Sequence, residues 1–390
     1  MGLFPEFSIK IGDFQRDRQI FFDILFFWNE IAAVVLYFIM SIENKKNKFV
    51  TLLLKWNREK NTRTMPWKGE KDPYKIWISE IILQQTRVEQ GLDYYKRFIK
   101  TFPDINKLAK TSDQKVMKMW EGLGYYSRCR NLLSTARTIS KNFRGKFPDT
   151  YDSIKSLKGI GSYTASAISS FAFNLPHAVV DGNVYRVLSR VFGIKTAVDT
   201  TEGKKYFNTL AEELLDKKQP GIYNQAIMDF GATVCKPVSP ECNRCYLKKH
   251  CYAFTNDVIN ELPVKEKKVT VRKRWFYYMV IQYKKEVLIR QRIDKDIWLH
   301  LYEFPVIEMK KKLPLSQIKK LVEKIGTSSK NISISSLYTQ QLSHQKINAF
   351  FIRINLKERN SFKSGSWITH TQLKQFAFPG IIRNFLEEFI

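Results

Sequence analysis

The sequence has few cysteines and few acidic residues for its length. Five cysteines among 390 residues are too few to cross-link a secreted domain of this size with disulfide bonds. This excludes the class of disulfide-rich extracellular proteins. Asp and Glu total 37 against 65 Lys and Arg, so the formal net charge is +28. A surface with this balance attracts polyanions. Nucleic acid is therefore the first class of partner to consider, and an anionic membrane surface is the second.

The sequence also lacks an uninterrupted hydrophobic run long enough to span a membrane. Residues 20–40 are largely apolar, but Asp23, Asn29 and Glu30 interrupt them. Each acidic residue near the centre of a membrane helix costs roughly 2.5–3.5 kcal/mol. No small-residue cleavage site follows, so a signal peptide is also a poor match. We interpret residues 1–39 as an N-terminal extension outside the enzyme, with Met40 as the alternative start, and expect no membrane partner.

The rest of the chain divides into a helical section and a mixed section. Between residues 49 and 251, apolar residues recur at helical spacing and Pro and Gly punctuate the segments. After that come a basic stretch, two β-rich sections and one helical pattern near residues 315–325. We therefore predict a multi-domain protein with an all-α domain over residues 40–262, a basic linker over 263–274, and a smaller α+β domain over 275–390.

Four of the five cysteines lie close together, in the order Cys235-x6-Cys242-x2-Cys245-x5-Cys251. Thiolates at short, fixed spacing in a protein without disulfides are typical of a metal site. Zinc and a [4Fe-4S] cluster both use four cysteines, so the spacing leaves the metal open. The surrounding Lys and Arg residues favour a structural metal in a loop that presents positive charge to phosphates.

The segment Gly159-Ile-Gly161 predicts a tight turn between two helices. Without a Cβ at either glycine, phosphate oxygens can approach the backbone N–H groups and the N-terminus of the next helix. This is the arrangement of a helix-hairpin-helix that grips DNA without reading its sequence. An ordinary corner between two helices explains the same pattern equally well.

Two carboxylates are candidates for acid–base chemistry. Asp72-Pro73 predicts a helix start, and on that helix Trp77, Glu80 and Gln84 share one face. A carboxyl group beside Trp is desolvated and suits a general acid, whereas the alternative is an exposed Glu. Asp181 follows an apolar pair and precedes a helix, which suits an anion beside developing positive charge, or a plain helix cap.

In combination these motifs resemble the MutY family of adenine DNA glycosylases, in the helix-hairpin-helix base-excision superfamily. The resemblance covers about residues 50–390. It is carried by the four-cysteine run and by PW at 66–67, SE..LQQT at 79–86, GLGYYSR.RN at 122–131, L.GIGSYTA at 157–165, VVDGNV.RV at 179–187 and NQA.MD.GA at 224–232.

The resemblance implies a monofunctional enzyme that excises adenine mispaired with 8-oxoguanine or guanine in double-stranded DNA, after flipping the adenine out of the stack. It assigns the general acid to Glu80, stabilisation of the cationic sugar to Asp181, and a transition-state role to Tyr163. It also implies a structural [4Fe-4S] cluster on the four cysteines, with zinc as the alternative. A monomer acting on the nucleoid in the bacterial cytoplasm is expected.

The same resemblance implies residues that bind the substrate. Arg63, Trp67, Leu83 and Gln225 match the lining of the adenine pocket, and Asn183 matches a polar residue beside Asp181. Gln85 and Tyr125 match residues that fill the gap in the base stack, while Gly159 and Gly161 match the glycines at the DNA backbone.

The C-terminal section resembles the MutT-like, Nudix-fold recognition domain of this family. The segment from Trp298 to Pro305 resembles W-x-G-L-Y-x-F-P, with His300 in place of the usual Gly. The acidic box of Nudix hydrolases is missing, so we expect no pyrophosphatase activity. Leu342-Ser343-His344 resembles the family's F-S-H loop, which makes Ser343 and His344 candidate readers of oxidised guanine.

Two other interpretations stay open. The first is an endonuclease III-like lyase or a thymine-mismatch glycosylase on the same fold; such lyases carry Lys at the position of Tyr163, and a phenol cannot form their Schiff base. The second is a catalytically inactive DNA-binding protein, against which Glu80 and Asp181 both argue.

Overall fold

The computed structural model describes residues 40, 43–267, 270–323, 332–359 and 365–389. Residues 1–39, interpreted above as an extension, lie outside this part of the chain. No helix in the described ranges combines the length and the apolar character needed to cross a membrane.

The described residues up to 264 form helices joined by short loops and 3₁₀ turns. A first helix, α1, spans residues 43–60. It is followed by α2 (Pro73–Leu83), α3 (Val88–Thr101), α4 (Ile105–Lys110), α5 (Asp113–Trp120), α6 (Ser127–Asn142), α7 (Tyr151–Lys155), α8 (Ser162–Phe173), α9 (Gly182–Phe192), α10 (Thr201–Leu214), α11 (Pro220–Thr233) and α12 (Tyr252–Thr255).

The C-terminal section is a β-sheet with two helices. Its elements are β1 (Arg272–Tyr283), β2 (Glu286–Gln291), β3 (Tyr302–Glu303), β4 (Val306–Met309), α13 (Leu315–Glu323), β5 (Ile332–Ile334), β6 (Tyr338–Gln341), β7 (Gln345–Asn355), β8 (Ser366–Thr369) and α14 (Gly380–Phe389). The main strand order is β3-β2-β1-β7-β5; β4 also pairs with β1, β6 with β7, and β8 with β2. β1 and β7 pair in parallel, while the other pairs are antiparallel.

The chain folds into two compact units that do not follow the linear order of the sequence. Unit 1 contains the described residues up to Arg63 together with Val180–Val264, and unit 2 contains Thr64–Val179 together with the described residues from Lys265 onwards. The helical section is thus shared between the units, and the sheet belongs with α2–α8. In addition, β1 begins at Arg272, inside the stretch that composition assigns to the linker.

Unit 1 is held together by aromatic contacts between α1 and the later helices. Phe49 meets Phe192 edge-on with ring centroids 5.4 Å apart, and Trp56 meets Phe230 at 5.0 Å. α9 also packs directly on α11, where a Cβ on Gly231 would lie 2.6 Å from the side chain of Asn183. A glycine is therefore required at position 231 by the close approach of the two helices.

An apolar core in unit 2 runs from α2 to α14. It contains Trp77 and Ile81 of α2, and Phe351 and Phe385 of the C-terminal section, all buried. Polar contacts join the same parts: the Lys118 ammonium donates to the carbonyl oxygen of Phe376 at 2.9 Å. α5 and the segment before α14 are therefore fixed to each other.

Candidate active site

Glu80 lies on α2 in unit 2. The helix begins as predicted, because the Asp72 carboxylate accepts a hydrogen bond from the Tyr74 N–H at 2.9 Å and Pro73 occupies the first turn. The side chain of Glu80 is 8% exposed, and Trp77, one turn earlier, is 1% exposed. The alternative of an exposed Glu is therefore excluded, and this carboxyl group is desolvated.

Tyr163 lies in the first turn of α8, which packs against α2 in the same unit. Gln84 is the C-terminal cap of α2, and its side-chain amide donates to the hydroxyl of Thr164 at 3.3 Å. Tyr163 is half-buried. The end of the helix that carries Glu80 is thus joined to the start of the helix that carries Tyr163.

The predicted turn at Gly159 and Gly161 precedes α8. Gly159 has φ +80°, and a Cβ there would lie 2.6 Å from the side chain of Asn131, so conformation and packing both require glycine. Gly161 is the N-cap of α8, and a Cβ there would meet nothing within 4 Å. Packing therefore does not require glycine at position 161, and the space beside its Cα is open.

Arg128 is a buried residue to which the sequence motifs assigned no role, although it lies in the quoted GLGYYSR.RN segment. Its guanidinium reaches the last turn of α2, the loop after it and the loop before α6. It donates to the carbonyl oxygens of Ile81 (2.7 Å), Ile82 (2.9 Å), Gln84 (2.5 Å), Leu123 (3.2 Å) and Gly124 (3.3 Å), and to the hydroxyl of Thr86 (3.4 Å).

These contacts explain how two strained loops keep their shape. Gln85 and Tyr125 lie next to residues that Arg128 holds, and both have left-handed backbones, with φ 60° and φ 46°. Such φ values are unfavourable outside glycine and persist where the surroundings fix them. Burial lowers the pKa of Arg128 to about 10. Arg128 therefore positions both residues that the resemblance assigns to the gap in the base stack.

Tyr125 also contacts the C-terminal section within unit 2. Its hydroxyl is hydrogen-bonded to the hydroxyl of Ser343, and both residues are exposed. They line a cavity of about 520 Å³ together with His344, Trp298 and Arg383. Ser343 and His344 thus lie in the same cavity as Tyr125. This proximity is necessary if all three residues contact the same base pair, as the resemblance implies.

An arginine–carboxylate network holds the loop that carries Ser343 and His344. Arg274 is 5% exposed and donates to Gln345 (2.9 Å), Glu308 (2.6 Å) and Asp296 (2.5 Å). Burial alone lowers the pKa of Arg274, but its hydrogen bonds to the two carboxylates outweigh burial and raise it. Arg272 N–H also donates to the carbonyl oxygen of His344 at 2.9 Å.

Asp181 lies in unit 1 as the N-cap of α9. Its carboxylate accepts hydrogen bonds from the N–H groups of Asn183 and Val184, both at 2.8 Å, and from the Asn183 side-chain amide at 2.8 Å. Burial raises the pKa of Asp181, and these donors oppose that effect. Asn183 in turn accepts from Arg186 at 2.8 Å, which fixes its orientation.

Arg63 and Gln225, two of the predicted pocket residues, meet at a buried carboxylate in unit 1. Asp229 is fully buried and accepts from Arg63 and from Gln225 at 2.9 Å each, and from Asn61 at 2.9 Å. The sequence motifs assigned Asp229 no role, although it lies in the quoted NQA.MD.GA segment. Asp229 follows Gln225 by one helical turn, and this spacing in the sequence already places the two side chains on the same face of α11.

The other two predicted pocket residues, Trp67 and Leu83, lie in unit 2. Trp67 is buried and meets Tyr95 edge-on, with ring centroids 5.3 Å apart. Leu83 is the last residue of α2 and is half-buried.

The four clustered cysteines lie in unit 1, and no disulfide bond joins them. Burial, reinforced by Coulomb repulsion from the other three cysteines, raises the pKa of Cys245 to about 12. Arg190 contacts the sulfur of Cys235 at 3.6 Å, and the Cys251 thiol donates to the Arg190 carbonyl oxygen at 3.4 Å. Across the described ranges, no group of three or more His, Cys, Asp or Glu residues has the arrangement of a metal site.

Comparisons with known proteins agree with this fold. Residues 78–217 match the HhH-GPD superfamily of base excision DNA repair proteins, and residues 277–388 match the NUDIX domain. A solved structure of a thermostable thymine-DNA glycosylase superposes with a TM-score of 0.52 at 29% identity, covering 55% of this chain and 99% of that one. The prediction of a helix-hairpin-helix domain followed by a Nudix-like domain is confirmed.

Several curated proteins are similar over most of this chain. The adenine DNA glycosylase of Buchnera aphidicola subsp. Baizongia pistaciae is 36% identical over 314 residues, covering 79% of this chain and 86% of that protein. The adenine DNA glycosylase of Buchnera aphidicola subsp. Schizaphis graminum is 34% identical over 345 residues, covering 87% and 98%. The human adenine DNA glycosylase is 37% identical over 231 residues, covering 57% of this chain and 42% of the human protein.

Proposed function

This chain belongs to the adenine DNA glycosylase family, and we propose that its substrate is adenine paired with 8-oxoguanine or with guanine in double-stranded DNA. It is a DNA glycosylase of base excision repair. The observation that carries the proposed chemistry is the buried Glu80, on the helix tied through Gln84 and Thr164 to the helix of Tyr163. We further propose that the enzyme acts as a monomer at the bacterial nucleoid.

We propose that Glu80 is the general acid. A glycosidic bond inside the base stack is out of reach, so the adenine is first flipped out of the duplex. The Glu80 carboxyl group then gives its proton to the adenine ring. The electron pair of the bond between C1′ and N9 leaves with the protonated base, and the sugar becomes cationic. Burial beside Trp77 supports this role, because desolvation favours the protonated carboxyl group.

We propose that Asp181 stabilises the cationic sugar as a carboxylate. The two backbone donors at the start of α9 hold its oxygens in a fixed orientation. Water then forms the new bond to C1′, and the Glu80 carboxylate takes the proton that the water releases. Two carboxylates with separate roles are also the arrangement of glycoside hydrolysis. Tyr163 supports the transition state from the first turn of α8.

We infer that Cys235, Cys242, Cys245 and Cys251 hold a [4Fe-4S] cluster, with zinc as the alternative. The residue types support this, because four cysteines within one short stretch supply the thiolates that a [4Fe-4S] cluster or zinc takes. The cluster has a structural role. Lys236, Arg244 and Lys248 around these cysteines then face the phosphates of the DNA.

Recognition of the opposite base is proposed for the cavity that contains Tyr125, Ser343 and His344. Gln85 and Tyr125 fill the gap left by the flipped adenine, and the exposed Ser343 hydroxyl and His344 imidazole offer polar contacts to the oxidised guanine. Gly159 and Gly161 bring the backbone close to a phosphate. We propose that Arg63, Trp67, Leu83 and Gln225 line the adenine pocket and that Asn183 supports Asp181.

A thymine-mismatch glycosylase is the second candidate, since a thymine-DNA glycosylase structure is 29% identical. That protein corresponds to only 55% of this chain, whereas the adenine DNA glycosylase of Buchnera aphidicola subsp. Schizaphis graminum covers 87%. The test is release of free base from duplexes carrying adenine opposite 8-oxoguanine, adenine opposite guanine, or thymine opposite guanine. We expect adenine release alone; thymine release would overturn the proposal. Efficient borohydride trapping of the enzyme on this DNA would contradict the monofunctional mechanism.

A further inference from the structure

A basic surface lies in unit 2, next to the hairpin that contains Gly159 and Gly161. It is a groove of about 700 Å³ along the outer face of α6. Lys158 of the hairpin and His300 of the C-terminal section both line it, together with α6 residues that include Arg130 and Lys141. We call it the α6 groove.

The charge of the α6 groove is strongly positive. Among the described residues that line it, Asp113 is the one carboxylate, and Arg137 neutralises it at 2.5 Å. Lys141, Lys158 and Arg130 have no carboxylate partner in the described part of the chain. Apart from Leu133 and Leu299, the described residues that line the groove carry polar or charged groups, which can bind an anion. The groove suits an extended anion.

His300 is unusual in this groove. It is exposed and has φ +69°, a backbone conformation that glycine adopts more easily than histidine. Its exposed imidazole is therefore accessible to a ligand in the groove.

Two hydrogen bonds fix the geometry of the groove. The Arg130 guanidinium donates to the carbonyl oxygen of Leu299 at 2.8 Å, and the Thr135 hydroxyl donates to the carbonyl oxygen of Lys158 at 2.7 Å. α6 therefore holds the loop of His300 on one side and the hairpin on the other. The cations are presented by a rigid surface.

We propose that the α6 groove binds the phosphodiester backbone of DNA, as a continuation of the phosphate site at the hairpin. The proposal rests on the proposed function for its ligand, double-stranded DNA. Lys158 is adjacent to Gly159, so a DNA backbone bound at the hairpin continues past Lys158 into the groove. His300 supplies a contact that Gly at this position lacks.

The test is equilibrium binding of the full chain to an undamaged duplex over a range of salt concentrations, for a double variant carrying Lys158→Ala and His300→Gly. Each phosphate contact contributes about 0.9 to the slope of log K against log salt. We expect the double variant to lose about 1 from that slope, through Lys158, and to bind several-fold more weakly near physiological salt. Lys107→Ala, an exposed lysine on α4 outside the groove, is the matched control.

Slopes and affinities equal to those of the unsubstituted chain would overturn the proposal, and so would an equal loss in the Lys107→Ala control. The thermal midpoint of each variant checks the fold, which His300→Gly does not strain. Lys141→Glu offers an independent substitution in the same groove, with the same expected direction. Binding to undamaged DNA does not require base excision, so failure of the proposed activity and failure of the α6 groove are distinguishable.

Discussion

Tyr125 and Ser343 are 218 positions apart in the sequence, and their hydroxyl groups are hydrogen-bonded to each other in unit 2. Tyr125 belongs to a loop that Arg128 holds, and Ser343 belongs to a loop that Arg274 holds through Gln345. Two buried arginines on separate elements thus fix the two sides of one contact. The surface proposed to meet the opposite base is therefore built before any DNA arrives.

Ser343→Ala tests the reading of 8-oxoguanine. We expect weaker binding to adenine:8-oxoguanine duplexes, by about 1 kcal/mol for one lost hydrogen bond, and a smaller change for adenine:guanine duplexes. Stability changes little, because the site is exposed. Fluorescence anisotropy measures the affinity of the variant for both duplexes. Ser336→Ala, at another exposed serine, is the control. An equal loss on both duplexes would show that Ser343 does not discriminate.

Glu80→Gln tests the general acid. The amide keeps the volume of the buried side chain but has no acidic proton, so the rate of adenine release is expected to fall by at least ~10²–10⁴-fold while mispair binding persists. Single-turnover excision and anisotropy measure the two quantities. Glu89→Gln changes an exposed Glu on α3 and is expected to leave both unchanged. Excision by Glu80→Gln at the unsubstituted rate would refute the assignment.

Arg128→Lys tests whether Arg128 fixes the two strained loops that contain Gln85 and Tyr125. Lysine keeps the charge but cannot reach six acceptors, so we expect the free energy of unfolding to fall by about 2–4 kcal/mol. Excision is also expected to slow at saturating enzyme, because Gln85 and Tyr125 lose their fixed backbones. Chemical denaturation and single-turnover kinetics measure these effects. Arg137→Lys, on the exposed face of the same helix, should cost less than about 1 kcal/mol; equal losses would contradict the role of Arg128.

Asp181→Asn tests the contribution of Asp181 to excision and its contribution to protein stability separately, because the second depends on pH. Burial raises the pKa of Asp181 above its ordinary value, so between the unfolded and folded pKa values the folded state binds more protons. Stability from this group is then present at low pH and lost as pH rises through the folded pKa. Asparagine keeps one oxygen for both cap hydrogen bonds and carries no charge to desolvate, but its NH2 group cannot accept the hydrogen bond that the Asn183 side-chain amide gives to Asp181. We expect Asp181→Asn to abolish excision, and its thermal midpoint relative to the unsubstituted chain to be higher at pH 7 than at pH 4. A relative midpoint that is the same at pH 4 and pH 7 would contradict the expectation.

Local features of the fold were predictable from the sequence. Asp72 and Asp181 precede helices in positions where a short carboxylate satisfies free N–H groups, and the structure caps α2 and α9 with them. The β1–β2 pair follows from two apolar runs joined by a short turn. In each case the decisive interactions are made within a few residues.

Long-range features were not predictable in the same way. Arg128 looks like a surface residue of an amphipathic helix until the loop after α2 folds against it, and Asp229 is buried only because Asn61, Arg63 and Gln225 converge on it. The division into two interleaved units depends on which helices find partners in three dimensions. Nothing in the local pattern separates residues 43–63 from the helices that follow them.

The interleaved units also have a consequence for the newly made chain. α1 presents Phe49 and Trp56, whose ring partners are Phe192 and Phe230. The ribosome must first translate the whole of residues 64–179, which takes on the order of 10 s at ordinary elongation rates. Throughout that delay these aromatic side chains lack the partners that cover them in the finished unit. The emerging polypeptide is therefore a natural client for a chaperone until Phe230 has left the exit tunnel.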